Sequence, residues 1–131
     1  MNLALDTSGY SALWRGDQRV LDTMRRAASV GVPAVVLGEL YSGFAGGARN
    51  AENVAQLRRF LDKPSVRVLP VTGETAIRYA DIDQYLRKRG RPIPRNDVWI
   101  AAVAMEHGLH LLTLDAHFRE IPLLLIEPAG L

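Results

Sequence analysis

Four acidic residues stand where the chain could do chemistry. Asp6 follows the apolar run Asn2-Leu3-Ala4-Leu5, Glu39 follows Pro33-Ala34-Val35-Val36-Leu37-Gly38, Asp97 heads Val98 to Met105, and Asp115 follows His110-Leu111-Leu112-Thr113-Leu114. Singly, each is what a helix cap looks like. Gathered at one place they would crowd like charges, which is unfavourable unless protons or a cation compensate. A hard divalent cation such as Mg2+ or Mn2+ is the usual compensation, because such ions prefer carboxylate and water oxygens. Thr7, Ser8, Asn96 and Thr113 adjoin these acids, with hydroxyls and an amide suited to orienting carboxylates or water around an ion. The same four residues are equally ordinary as caps and turn formers. The chain has no cysteine, which excludes disulfides, thiolate zinc sites and cysteine nucleophiles. A metal here would be held mainly by oxygen.

Short apolar runs without helical period read as buried strands that finish at polar positions. Residues 2–5 are such a run, and residues 32–37, 66–71, 110–114 and 123–126 are expected to be the others. Between them lie helical patterns. A short helix is expected over residues 7–14, and another from its cap at Asp17 until Gly31. Glu39 opens a third, which dissolves at Gly46-Gly47. A fourth, from Asn50, buries Val54, Leu57 and Leu61 and stops before Pro64, so that residues 40–61 form a helical hairpin arm. The helix from Thr72 turns Ala76, Tyr79, Ile82 and Leu86 inward and closes in a basic run. The helix after Asn96-Asp97 is apolar nearly all round, so it must be buried on most sides and anchor Asp97 to the core. Strands alternating with helices, without repeats or low-complexity segments, predict one α/β domain over residues 1–131 with a mostly parallel central sheet flanked by helices. Parallel strands of that kind would bring Asp6, Glu39 and Asp115 to the carboxyl edge, where open α/β sheets bind ligands.

The 131 residues, 48% hydrophobic and 23% charged, suit a single globular domain with an ordinary core. No apolar stretch approaches the roughly 18 residues of a membrane helix, and no secretory signal opens the chain, so a cytoplasmic location is expected. The net charge is only +2, but the cations are almost all arginine, Lys63 and Lys88 excepted. Arginine makes forked bonds to phosphate, although GC-rich coding yields the same bias. If several acids share one metal pocket, the remaining surface is more basic than the sum, which suits a nucleic-acid partner. Arg87, Lys88 and Arg89 are explained by the negative pole of a helix end. Arg91 and Arg95, leading directly to Asn96-Asp97, are assigned to a nucleic-acid backbone. His117 invites a role as ligand or general base but reads as a surface or capping residue, His107 and His110 as structural, and Tyr10, Trp14 and Trp99 as core rather than as stacking partners for bases.

The runs Leu5-Asp6-Thr7-Ser8, Val36-Leu37-Gly38-Glu39-Leu40 with Gly43, Asn96-Asp97-Val98-Trp99-Ile100-Ala101-Ala102 and Thr113-Leu114-Asp115-Ala116-His117-Phe118 together resemble PIN-domain ribonucleases. Within that family the resemblance is to VapC-type toxins of toxin–antitoxin pairs, and it spans essentially the whole chain. It implies that Asp6, Glu39, Asp97 and Asp115 are the metal-binding, catalytic acids and that Thr113 is the supporting hydroxyl. It further implies Mg2+- or Mn2+-dependent hydrolysis of RNA phosphodiester bonds, with one ion or two. An antitoxin near the active site and the 40–61 arm, and homodimerisation, are also implied. A receiver domain would need adjacent early acids and a late lysine, and a haloacid dehalogenase-type phosphatase an acid where Ser8 stands. The remaining alternative is a catalytically silent PIN-like scaffold that binds RNA or a protein.

Overall fold

The computed structural model describes residues 1–128. In chain order its elements are β1 (Asn2–Leu5), α1 (Thr7–Trp14), α2 (Gln18–Arg25), β2 (Ser29–Pro33), α3 (Ala34–Ala45) and α4 (Asn50–Leu61). They continue with β3 (Val66–Leu69), α5 (Gly73–Lys88), α6 (Arg95–Glu106), β4 (His110–Leu112), a 3-10 turn (Ala116–Glu120) and β5 (Ile126–Glu127). The strands form one sheet in the order β3-β2-β1-β4-β5, with every pair parallel. The expected α/β class, with helices flanking a parallel sheet, is what forms.

β1 holds the centre because Leu3, Ala4 and Leu5 are wholly buried, and a strand covered on both faces must be apolar throughout. From β1 the chain winds outward to β2 and β3, then crosses back to place β4 on β1's other side. Leu5 pairs with Leu112 at the end of that contact. The direction of winding reverses between β1 and β4, so their carboxyl ends open the crevice where such sheets bind ligands. α6 packs against α5, and its Val98 and Ile100 to Ala104 are buried as the all-round apolar pattern requires. Tyr79 of α5 stacks on Trp99 of α6, with ring centroids 4.1 Å apart.

Several boundaries differ from expectation. The second strand spans Ser29–Pro33, not residues 32–37, and α2 ends at Arg25 rather than at Gly31. Pro33 stands at the N-cap of α3, where its missing N–H costs nothing, and Val36 and Leu40 bury one face one turn apart. Glu39 therefore lies within α3, not at a strand end. The apolar run 123–126 supplies only the start of β5, because Leu123 takes a left-handed φ of 68° and projects into solvent. Thr75 is buried on α5 in place of Ala76, and Trp14 is 45% exposed, although its ring meets Tyr10 and Phe60 edge-on. Among the described residues no helix is long and apolar enough to cross a membrane.

Candidate active site

Asp6 leaves β1 with extended backbone and caps α1, accepting a hydrogen bond from the Gly9 N–H at 2.7 Å. Its side chain is only 4% exposed, and both oxygens are engaged. The Ser8 hydroxyl lies 2.8 and 3.0 Å from Oδ1 and Oδ2, and the buried Thr113 hydroxyl donates to Oδ2 at 2.5 Å. Ser8 Oγ also accepts the Leu114 N–H at 3.0 Å, and Thr113 Oγ1 accepts the Asp115 N–H at 2.9 Å. The segment after β4 is thereby fastened to the start of α1, and Asp115 is held beside Asp6. Two of the hydroxyls singled out beside the acids, those of Ser8 and Thr113, thus hydrogen-bond Asp6.

Gly9 is the residue that sequence reasoning missed. It lies buried on α1 against β4, and a β-carbon built there would collide with the Leu112 carbonyl oxygen. Only glycine lets the helix come this close. The signal available in the sequence was a glycine three residues beyond a strand-ending aspartate, the spacing at which a capped helix makes its first contacts.

Glu39 reaches the site from α3. Thr7 donates to its Oε1 at 2.5 Å and the Asn96 amide to its Oε2 at 3.2 Å, joining the first turns of α1 and α6. All four neighbours singled out from the sequence thus touch one of the acids or its backbone. Asp97 projects from the first turn of α6, and Asp115 caps the 3-10 turn by accepting the His117 N–H at 2.9 Å. The His117 ring turns back between them, with Nδ1 3.1 Å from Asp97 Oδ2 and 3.2 Å from Asp115 Oδ1. His117 is exposed, as a surface residue is, and its ring additionally bridges the two acids. His110, read as structural, has its Nδ1 3.5 Å from Glu127 Oε1.

The electrostatics tie the acids into one field. Burial pushes the Asp6 carboxyl above its ordinary value, and the Asp115 charge adds to the rise; hydrogen bonds from Thr113, Gly9 and Ser8 oppose it. Burial likewise raises Asp97, with the Asp115 and Glu39 charges adding and His117 opposing. Ionising these carboxyls together is unfavourable without a cation. The donor set meets that need: one ligand atom each from Asp97, Asp115 and His117 lies within 4.8 Å of the others. Asp6 and Glu39 stand outside this tight group, linked to it through Thr113 and Asn96 respectively. The basic pair is split in character. Arg95 lies exposed on α6, two residues before Asp97, whereas the Arg91 guanidinium shares Glu120 at 3.4 Å.

A model of the PIN domain family matches residues 3–124. The chain is 32% identical over 117 residues to the protein named Ribonuclease VapC5 of Mycobacterium tuberculosis, covering 89% of this chain and 85% of that protein. Among solved structures, that of VapBC-5 of M. tuberculosis, a member of the VapBC family of toxin–antitoxin systems, contains a chain 29% identical, matching with a TM-score of 0.76 over 96% of this chain and 95% of that one. The Rickettsia felis VapBC2 complex, solved on a DNA fragment of its promoter, shares the fold at a TM-score of 0.85, covering 97% of this chain and 98% of that one, with 23% identity.

Proposed function

Because the chain belongs to the PIN domain family, we propose that it is a metal-dependent endoribonuclease that hydrolyses RNA phosphodiester bonds as the toxin of a toxin–antitoxin pair. The observation that carries this reading is the convergence of Asp97, Asp115 and His117 beside the buried Asp6, at the carboxyl ends of β1 and β4. The likeness to a named VapC ribonuclease supports it.

Asp97 and Asp115 would hold a divalent cation, Mg2+ or Mn2+, with Asp6 and Glu39 joining directly or through water. When bound, such an ion supplies a water of lowered pKa and neutralises charge on the phosphodiester. The chain's own residues do the rest. Thr113 and Ser8 fix both oxygens of Asp6, so the buried carboxylate keeps one orientation as RNA arrives. Thr7 and Asn96 do the same for Glu39. Arg95, and Arg91 once released from Glu120, receive the RNA backbone and bring the scissile phosphate toward the acids. A water attacks phosphorus in line with the departing oxygen and gives up a proton as the new O–P bond forms, while the P–O bond to the departing oxygen breaks and that oxygen takes up a proton.

The antitoxin would bind near the active site and the helical arm, where Phe60 of α4 borders an apolar cleft of about 320 Å³ that α1 and α2 line with Leu13, Trp14, Leu21 and Met24. Two copies of the chain would form the toxin dimer. The test is cleavage of total cellular RNA by purified protein with Mg2+ or Mn2+, beside a chelated sample and an Asp6→Asn, Asp97→Asn double variant. Discrete cuts that vanish in both controls are expected. A folded, antitoxin-free protein that cuts nothing would be a binding scaffold instead.

A further inference from the structure

We propose that His117 is a nitrogen ligand of the cation that Asp97 and Asp115 hold, and that it turns the site toward Mn2+ and away from Mg2+. The inference rests on the metal-dependent reading above and concerns a residue outside the acidic set. Its ground is geometric. His117 Nδ1 lies 3.1 Å from Asp97 Oδ2 and 3.2 Å from Asp115 Oδ1. Ligands about 2.1 Å from an octahedral ion sit about 3.0 Å apart along each edge, so the nitrogen stands from each carboxylate oxygen at close to the length of such an edge. The imidazole is held there by its own backbone. The His117 N–H donates to Asp115 Oδ1, which ties the ring's position to the carboxylate it would share an ion with. The ring is half exposed and needs no packing role to justify it.

A neutral imidazole favours transition metals, whereas Mg2+ takes oxygen ligands and holds its water tightly. Replacing one oxygen position by nitrogen therefore strengthens Mn2+ binding more than Mg2+ binding. The competing arrangement has the same distances: an imidazolium hydrogen-bonded to both carboxylates and standing where a cation would stand. The two differ in whether nitrogen touches the ion.

Electron spin-echo envelope modulation of the full chain loaded with Mn2+ separates them, because it registers nuclei bonded to the ion. The expected result is a 14N imidazole modulation in the unaltered protein that changes to a 15N pattern when the histidines are 15N-labelled. It should disappear in His117→Gln while Mn2+ remains bound. In that variant Mn2+ affinity should fall about tenfold or more, with a smaller change for Mg2+. Bound Mn2+ without nitrogen modulation, or modulation that persists in His117→Gln, would overturn the assignment while leaving the nuclease reading intact. A protein that binds Mg2+ but not Mn2+ would also overturn the assignment alone, and one that binds neither ion would overturn both. His117 is exposed, so the substitution leaves the core untouched, and the labelling arm needs no substitution at all.

Discussion

The Thr113 hydroxyl donates to Asp6 Oδ2 at 2.5 Å across 107 residues of chain, joining the carboxyl ends of the two strands between which the sheet changes direction. Thr113 is wholly buried, so this bond has no water to replace it. The same hydroxyl accepts the Asp115 N–H, and one side chain thereby sets the spacing of two acids.

Thr113→Val keeps the shape and removes these two bonds together with the contact to the Ser8 hydroxyl at 3.2 Å. The buried Asp6 carboxylate then loses a donor and the Asp115 N–H its acceptor, which should cost about 1–3 kcal/mol of stability. RNA cleavage should fall by about 10–100-fold, the usual cost of losing a group that orients a metal-binding acid. Denaturant unfolding and single-turnover cleavage check the two effects; Thr113→Ser, which keeps the hydroxyl, should recover most of the cleavage.

Gly9→Ala tests how closely α1 must approach β4. Alanine is the better helix former by roughly 0.5–1 kcal/mol, so propensity alone would make the variant more stable. The collision with the Leu112 carbonyl is with backbone, which cannot swing aside. The helix must therefore shift, and the variant should lose about 1–3 kcal/mol, as overpacking does. Activity should drop by more than the loss of folded protein explains, because Ser8 and the Gly9 N–H move away from Asp6. Thermal unfolding read alongside cleavage tests this ordering.

Asp6 was legible in the sequence because a four-residue apolar run ending in an acid leaves few alternatives, and Asp97 because the helix behind it is apolar on nearly every side. Glu39 was expected at a strand end and lies within α3. The run Ala34-Val35-Val36-Leu37 is partly buried around most of its circumference, so its pattern does not distinguish strand from helix. Pro33 before it was the informative sign. The contact between His117 and Asp97 could not be read from periodicity, because it depends on how the 3-10 turn docks against α6. Only the short spacing from Asp115 to His117 was visible in the chain.

Asp6 and Asp97 make the metal-free protein's stability depend on pH in a defined direction. Both folded carboxyls lie above their ordinary value of 3.8, so the native state holds these protons longer than the unfolded chain does. Stability from these groups is therefore greatest below the unfolded value. It falls as pH rises from there to the folded values, beyond which the penalty is constant. The neutral variant Asp97→Asn should thus be favoured over the unaltered chain at pH 7 in chelator, and the difference should shrink below about pH 4. Adding Mn2+ should reverse the order at pH 7, because only the unaltered carboxylate gains from the ion. At a concentration 100 times Kd the gain is about 2.7 kcal/mol. Thermal unfolding of both proteins, with and without the ion, provides the four values required.

Arg91 and Arg95 are predicted to differ although both lead into Asn96-Asp97 in the chain. Arg91 must give up Glu120 before it meets a phosphate, so part of its gain is already spent in the free protein. That pair is exposed, and exposed pairs are worth little, so the release is cheap but not free. If each arginine neutralises one phosphate of single-stranded RNA, each replacement by glutamine should flatten the dependence of log Kd on log salt by about 0.7. The double replacement should then flatten it by about 1.4. Affinity at fixed salt should fall further for Arg95→Gln than for Arg91→Gln, and Glu120→Gln should tighten binding by freeing Arg91. Filter binding of a short single-stranded RNA to the catalytically silenced Asp6→Asn protein, at several salt concentrations, measures all of these. An unchanged slope in the double variant would remove both arginines from the RNA path and leave them as the basic margin of α5 and α6.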